Sequence, residues 1–246
     1  MRRYELADTA VWIGELTSTT WTLSLARDLS DEEIESAAGE LARHADTHVE
    51  LLVWDEIDDD PLIRVATAAG WRRSARKAFV DLDLDDCPAP AVPDGWRLET
   101  MAALGEEEFA ARMVVASEGD PFSPSTPESA VADLRELVRY AGEEFDPEHW
   151  FAVSDDAPIG VLLPQVYPDD PLEGTLFYLG VVPERRRAGL GSQLHRLGLE
   201  FLHERGAVRY VGSTDERNIA MLKVFARAGA RVLRRQTILR RPAAQA

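Results

Sequence analysis

A single cysteine, Cys87, stands in the 246 residues, which excludes an intramolecular disulfide and a thiolate cluster for structural zinc. No metal is expected, and the scarcity of thiols fits a reducing cytoplasm. Positive charge is also short, with a formal net charge of −17 at pH 7. That balance disfavours a nucleic-acid partner, because nonspecific binding depends on basic side chains displacing counterions along the phosphates. A cationic substrate is easier to accommodate. Lysine is nearly missing: Lys77 and Lys223 are the only two, so the basic residues are almost all arginine, as in GC-rich bacterial coding sequences. No apolar run approaches the ~20 residues that cross a bilayer. Met1-Arg2-Arg3-Tyr4-Glu5 leads into no apolar signal region. A soluble, unprocessed chain with no membrane partner is expected.

What is present suits a packed protein: 45% of residues are hydrophobic, and the length allows one large domain or two smaller ones. The Pro-rich stretch around Cys87–Gly95 interrupts the periodic segments as a stiff linker does. The expected organisation is therefore a domain over 1–86, a linker over 87–95 and a domain over 96–246. In the second domain, Trp96–Glu99 reads as a strand, and Leu104–Ala116 and Glu128–Tyr140 as helices flanking a Pro/Ser-rich loop. Trp150–Val153 and Ile159–Leu163 form a hairpin around a polar turn, and Thr175–Val182 is a further strand. Leu194, Leu197, Phe201 and Leu202 mark one face of a helix. A strand over Val208–Val211, a helix over Asn218–Ala228 and a strand from Arg231 to about Leu239 complete an α/β pattern. An offset of 159 residues pairs Gly70 with Gly229, Val49 with Val208 and Val65 with Val224, so residues 1 to about 86 read as a shortened copy of the later half-domain.

The chemistry is concentrated between strand and helix, in Val181-Val182-Pro183-Glu184-Arg185-Arg186-Arg187-Ala188-Gly189-Leu190-Gly191-Ser192. Gly189 and Gly191 remove side chains where backbone must approach a ligand, and the helix starting there offers N–H groups with partial positive charge. An anion belongs at that place. The three arginines before the glycines are expected to add mobile charge suited to phosphate. Gly191-Ser192-Gln193 lacks the Gly-Lys-Ser/Thr of a phosphate loop, and Leu194 stands where a dinucleotide fingerprint needs a third glycine.

On these residues the chain resembles the GNAT superfamily of acyl-CoA N-acyltransferases over about Trp96 to Leu239. The hallmark R/Q-x-x-G-x-G/A after V-x-P is matched by Arg186 to Gly191 after Val181-Val182-Pro183. The resemblance implies a GNAT-like mixed, mostly antiparallel sheet flanked by helices, preceded by a smaller degenerate half-GNAT-like domain, a layout similar to the mycothiol synthase type. It implies acetyl-CoA or another acyl-CoA as co-substrate and direct transfer to an amine of a small molecule or peptide, by a monomer or homodimer. It further implies that Arg186, Arg187, Ala188, Gly189, Leu190, Gly191 and Ser192 hold the pyrophosphate. The main chain of Leu179 and Val181 would then pair with the pantetheine arm. Asn218-Ile219-Ala220-Met221 through Phe225 and Gly229-Ala230 resembles a second family element, which gives Asn218 a contact with the arm. Asn is equally suited to cap that helix.

Two departures bear on mechanism. Phe225 stands where many members carry a proton-donating tyrosine, and Thr175 where many carry a glutamate; threonine is no base at neutral pH. Glu173, two residues earlier and on the same strand face as Thr175 and Phe177 by alternation, is the leading candidate base. Glu118 and Asp120 are alternatives, and Ser213, Thr214, Tyr178 and His149 are polar groups able to relay a proton through water. A noncatalytic acyl-CoA-binding or sensing module is the alternative function. Cys87 is expected to be an inert thiol. In the first domain, Asp28-Leu29-Ser30-Asp31-Glu32-Glu33 occupies the place of the glycines, with Ser30 as cap; these carboxylates would repel a pyrophosphate.

Overall fold

The computed structural model of the chain describes residues 2–6, 9–17, 19–25, 27–44, 49–55 and 60–241. The chain divides into two compact units: Met1–Phe79 with Ser213–Arg217 and Val232–Ala246, and Val80–Gly212 with Asn218–Arg231. In the first, β1 (Arg2–Leu6), β2 (Val11–Glu15) and β3 (Thr20–Leu25) form an antiparallel meander. Val11 and Ile13 on β2, and Trp21 and Leu23 on β3, turn to the core at alternate positions, the period that makes a half-buried strand. α1 (Asp31–His44) then crosses over, and β4 (Glu50–Asp55) lies parallel to β3. α2 (Pro61–Ala68) begins at the Asp60 cap, whose carboxylate accepts the Leu62 N–H at 2.8 Å, and β5 (Arg72–Asp83) comes next. Leu41, Leu51, Val65 and Trp71 are fully buried in this core.

The second unit opens on β6 (Arg97–Thr100), followed by α3 (Met101–Leu104) and α4 (Glu106–Ser117), which are separated at Gly105, where φ is +79°. After α5 (Ala130–Ala141), β7 (Phe151–Ser154), β8 (Pro158–Val166) and β9 (Glu173–Val181) pair antiparallel in succession with β6 at the edge. α6 (Leu190–Glu204), β10 (Arg209–Asp215) and α7 (Ile219–Arg227) come after them, with β10 parallel to β9. α4 and α5 pack on one side of β8, burying Phe109, Leu134 and Trp150, while α6 packs with Leu194 and Leu197 against Phe151, Ile159 and Leu162. The helices and the hairpin thus fall within a few residues of their sequence expectations. β11 (Arg231–Arg240) ends the chain and pairs antiparallel with β4, Thr237 opposite Val53. Linear boundaries at 1–86, 87–95 and 96–246 keep to chain order; the compact units exchange segments, because β11 groups with β4.

The repeat at an offset of 159 recurs in element starts: Asp31 of α1 and Leu190 of α6, Glu50 of β4 and Arg209 of β10, Arg72 of β5 and Arg231 of β11. β1 to β3, which local sequence patterns left unassigned above, were signalled by the alternation of Val11 with Ile13 and Trp21 with Leu23.

α6 also buries two ionisable groups, His195 and Glu200. The His195 ring lies edge-on to Tyr210 and Phe225, with centroids 5.2 and 5.6 Å away, and its Nε2 has no hydrogen-bond partner. Desolvation disfavours the imidazolium there and lowers its pKa from 6.5 to about 4. The unfolded chain therefore binds a proton that the native chain refuses as pH falls through that interval, so native stability declines between those values and levels off below the lower one. Urea denaturation of wild type and His195→Phe at pH 7 and pH 4.5 reads this directly: wild type is expected to lose roughly 2 kcal/mol between the two pH values through this group, and the variant is expected not to show that loss.

Candidate functional site

β9 and β10 pair only at Arg209 with Glu173 and Tyr210 with Gly174, after which β9 continues to Val181 without that neighbour. On its other edge β9 remains on β8, with Gly160 opposite Val181 and Leu162 opposite Leu179. The Gly180 carbonyl points at β8 so closely that a Cβ on Gly160 would lie 1.9 Å from it. Successive residues of a strand direct their main-chain groups to opposite edges. The N–H and C=O groups of Leu179 and Val181 therefore face away from β8, into the parting. A register shift between Leu162 and Pro164 adds a bulge at Phe177-Tyr178, so both of these side chains pack on the α4–α5 side. Bulges re-aim strands beside functional sites.

A cleft of about 620 Å³ opens at this parting. Tyr178 to Val181 form its floor, Gly119 to Phe122 after α4 one rim, and Asn218 with the first turns of α7 the other; Arg186, Arg187, Gly189, Gly191 and Ser192 close its end. Two tyrosines flank the parting in the same manner. The Tyr178 ring lies over Gly180 and the Tyr210 ring over Gly212, where an added Cβ would come within 2.9 and 2.2 Å of the respective hydroxyls. Burial pushes both phenols well above their usual pKa, so both remain protonated. Their O–H groups are donors at neutral pH.

The turn before α6 has a division of labour that the sequence did not disclose. Arg185 is held by Asp155 of the β7–β8 turn through two bonds of 2.9 and 2.6 Å, and this guanidinium draws the Asp155 carboxyl well below the usual carboxylate range. Arg186 donates from Nε to the Val181 carbonyl at 2.9 Å and from Nη2 to the Ala116 carbonyl at 3.1 Å. Its side chain ties the end of β9 to the end of α4. Three mobile arginines were expected; Arg185 and Arg186 are instead fixed structural ties, and Arg187 is the exposed one of the three. Ala188 is exposed and Leu190 packs on the α6 side, so neither side chain lines the cleft.

Gly189 caps α6 in the left-handed region at φ +83°, which accounts for that glycine. Gly191 needs another reason. It is helical, and outside its own turn of helix a Cβ there would meet nothing nearer than the Val181 and Val224 side chains at 3.9 Å. Glycine inside a helix costs about 1 kcal/mol relative to alanine. Neither conformation nor packing asks for it. No side chain caps this helix and its first turn holds no carboxylate.

The first unit presents the opposite arrangement at α1. Ser30 and Glu33 form a reciprocal box, with Glu33 Oε2 accepting the Ser30 N–H at 2.8 Å and Ser30 Oγ the Glu33 N–H at 3.3 Å. Arg27 pairs with the same carboxylate. Asp31, Glu32 and Glu33 fill the first turn, so this helix start carries its own anion.

The other residues singled out from sequence are dispersed. Asn218 lines the cleft and also caps α7, its Oδ1 accepting the Met221 N–H at 3.1 Å. Phe225 is buried against His195 and Tyr210 rather than lining the cleft, and Thr175 is buried on β9. Glu173 sits at the start of β9, 3.3 Å from Arg209, in a separate depression with Tyr140 and Tyr167. Asp120 lines the cleft, and Glu118 ends α4. His149 lies 3.0 Å from Asp146, and Ser213 and Thr214 are on β10 beyond the parting. Cys87 has its thiol pushed up by burial and then by the Glu200 carboxylate, the condition of an unreactive sulfur.

Lysine offers one ammonium in place of the arginine fork and cannot span both carbonyls held by Arg186. Arg186→Lys is expected to lower stability by roughly 1.5–3 kcal/mol, the worth of a hydrogen bond to a charged group, measured by chemical denaturation.

Comparison with known proteins agrees with this geometry. Residues 112–230 match the family described as Acetyltransferase (GNAT) family. A mycothiol acetyltransferase of Thermomonospora curvata is 33% identical over 183 residues, covering 73% of this chain and 59% of its own length. The chain thus spans less than two thirds of that relative. Among solved structures, a GCN5-related N-acetyltransferase from Sphaerobacter thermophilus aligns over 96% of this chain and 79% of its own, with TM-score 0.64 and 20% identity. A tandem GNAT protein from the clavulanic acid biosynthesis pathway aligns over the same shares with TM-score 0.59 and 18% identity. At such identity these two speak for the fold alone. The parted strands and the uncapped helix start lie within residues 112–230, the segment of this chain that matches the GNAT acetyltransferase family.

Proposed function

We propose that the chain transfers an acetyl group from acetyl-CoA to an amine. One observation carries the reading: beyond the last pairing of β9 with β10 at Gly174, the main-chain edge of Leu179 and Val181, of which Arg186 takes the Val181 carbonyl, leads directly to an uncapped helix start at which Gly191 has no structural reason to be glycine. In this reading the edge pairs with the pantetheine arm, and backbone N–H groups from Arg186 to Ser192 hold the pyrophosphate. Asn218 contacts the arm through its amide nitrogen while its oxygen caps α7.

The acceptor amine, once neutral, attacks the thioester carbonyl; as the C–N bond forms the C–S bond breaks, and the surplus proton on nitrogen passes through water to the departing thiolate. A main-chain N–H near Leu179 meets the oxyanion. Holding both reactants in one cleft is worth about 7–11 kcal/mol of the barrier. No covalent enzyme intermediate is needed, in keeping with the half-buried, unreactive Cys87. Glu173 lies in a separate depression and in this reading takes the ammonium proton of the acceptor through intervening water, while Asp120, which lines the cleft itself, is its rival.

Residues 1–86 are proposed to be a degenerate copy that holds no coenzyme, since the Ser30–Glu33 box places a carboxylate where α6 leaves room for phosphate. The relative named mycothiol acetyltransferase supports testing mycothiol chemistry first among acceptors, and the charge of −17 favours cationic amines next.

Titration calorimetry with coenzyme A tests the donor site. Gly191→Glu is expected to weaken binding at least 100-fold, by charge repulsion and occlusion, while Gly191→Ala melts no lower than wild type; unchanged affinity in the glutamate variant would remove the assignment. For the transfer step, release of free thiol from acetyl-CoA is monitored with a panel of amines. Glu173→Gln is expected to lower kcat by 100-fold or more with little change in coenzyme affinity. A loss confined to Asp120→Asn assigns the base there instead.

A further inference from the structure

Two side-chain hydroxyls line the cleft among the described residues, Tyr178 on β9 and Ser192 in the first turn of α6. Ser192 stands at the proposed pyrophosphate end. Tyr178 stands at the other, beside the main chain that faces the parting. Its ring runs forward along β9, so that a Cβ on Gly180 would come 2.9 Å from the hydroxyl and 3.0 Å from the Ala116 side chain at the end of α4. The bulge at Phe177-Tyr178 produces this aim, because it turns both side chains to the α4–α5 side. Asp120 and Arg186 act on the phenol from the cleft, the carboxylate disfavouring its ionisation and the guanidinium favouring it.

Packing accounts for the ring and not for its hydroxyl. A phenylalanine would fill the same space, and among the described residues the Tyr178 O–H meets no hydrogen-bond partner. A polar group held partly out of water without a partner is unfavourable. Its place in the cleft supplies the missing reason. In the acetyl-transfer reading the thioester oxygen meets a main-chain N–H near Leu179, and the pantetheine arm pairs with the main chain at Val181. The sulfur joins those two points and therefore lies beside Gly180, where the Tyr178 hydroxyl is. Other groups that might protonate it stand elsewhere. Phe225 has no O–H and is buried, the Tyr210 hydroxyl lies over Gly212 on β10 with its ring outside the cleft lining, and Glu173 is in its separate depression.

We infer that Tyr178 is the proton bridge of the transfer step, its hydroxyl giving a proton to the departing sulfur while it receives the surplus proton shed by the acceptor nitrogen. This role rests on the acetyl-transfer reading and makes Tyr178 the last station of the water path from nitrogen to sulfur. As the C–N bond forms and the C–S bond breaks, nitrogen loses one proton, sulfur gains one, and the phenol ends as it began. No free phenolate forms. That suits a phenol whose ionisation is opposed first by burial and then by the Asp120 carboxylate.

Tyr178→Phe keeps the ring and removes the bridge. The single-turnover rate of acetyl transfer is measured on the full chain with acetyl-CoA and the amine of the panel that wild type acetylates fastest. The variant is expected to lose roughly 100-fold or more in that rate, with coenzyme A affinity by calorimetry and the melting temperature unchanged. Acetyl-seleno-coenzyme A separates catalysis from structure, because a selenolate is a weaker base than a thiolate and departs without needing a proton. With that donor the deficit of the variant is expected to shrink to about a few-fold. An undiminished rate with acetyl-CoA overturns the bridge, and so does a deficit of equal size with both donors, which marks a structural role for the hydroxyl. In both cases wild type still binds coenzyme A and releases thiol, so the acetyl-transfer reading stands. Wild type that releases no thiol with any amine of the panel overturns that reading, and the bridge with it.

Discussion

The parting of β9 from β10 is the constraint on which the rest of the site depends. A strand edge left without a partner carries main-chain donors and acceptors that cost free energy unless something satisfies them. At Val181 the protein supplies the partner itself, because Arg186 folds back onto that carbonyl and onto Ala116. At the neighbouring main-chain groups the cleft remains open. The tyrosine rings lying over Gly180 and Gly212 occupy the space beside both strands, and the bulge at Phe177-Tyr178 turns β9 as it leaves its neighbour. Gly160 belongs to the same device, since only a residue without a side chain admits the Gly180 carbonyl and thereby turns Leu179 and Val181 outward.

The two helix starts differ in whether the chain itself supplies an anion. α1 and α6 begin 159 residues apart in the repeat, each after a strand and each with the partial positive charge of an N-terminus. At α1 the charge is neutralised internally by Glu33, which Arg27 and Ser30 hold in place and whose pKa is lowered to about 2, first by the bond to Arg27. At α6 no side chain performs that role, and the charge remains available to a ligand. A few residues separate the states: Ser30 against Gly189, and the carboxylates of the first turn against Leu190, Gly191 and Ser192.

Arginine usage shows why charge in a sequence is a poor guide to charge at a site. Arg185, Arg186 and Arg187 read alike as consecutive letters, yet the turn sends them to three surroundings: a carboxylate, two carbonyls and solvent. Glu200 was equally hidden, since nothing in its spacing distinguishes a buried glutamate from one on the exposed face of an amphipathic helix.

The sequence by itself determined the α/β class, most element boundaries after residue 96, the internal repeat and the glycine turn at the start of α6. These are local properties: hydrophobic period, turn chemistry and a helix start are written within a few consecutive residues. It also places threonine at 175 and phenylalanine at 225, where the resemblance implies groups able to transfer a proton. Tertiary structure decided the matters that depend on distant segments meeting. It moved the terminal strand β11 to β4, separated Glu173 from the cleft that holds Asp120, and converted two of three arginines into ties. Each outcome depends on strand pairing or helix packing across tens of residues, and no single stretch of sequence encodes such contacts.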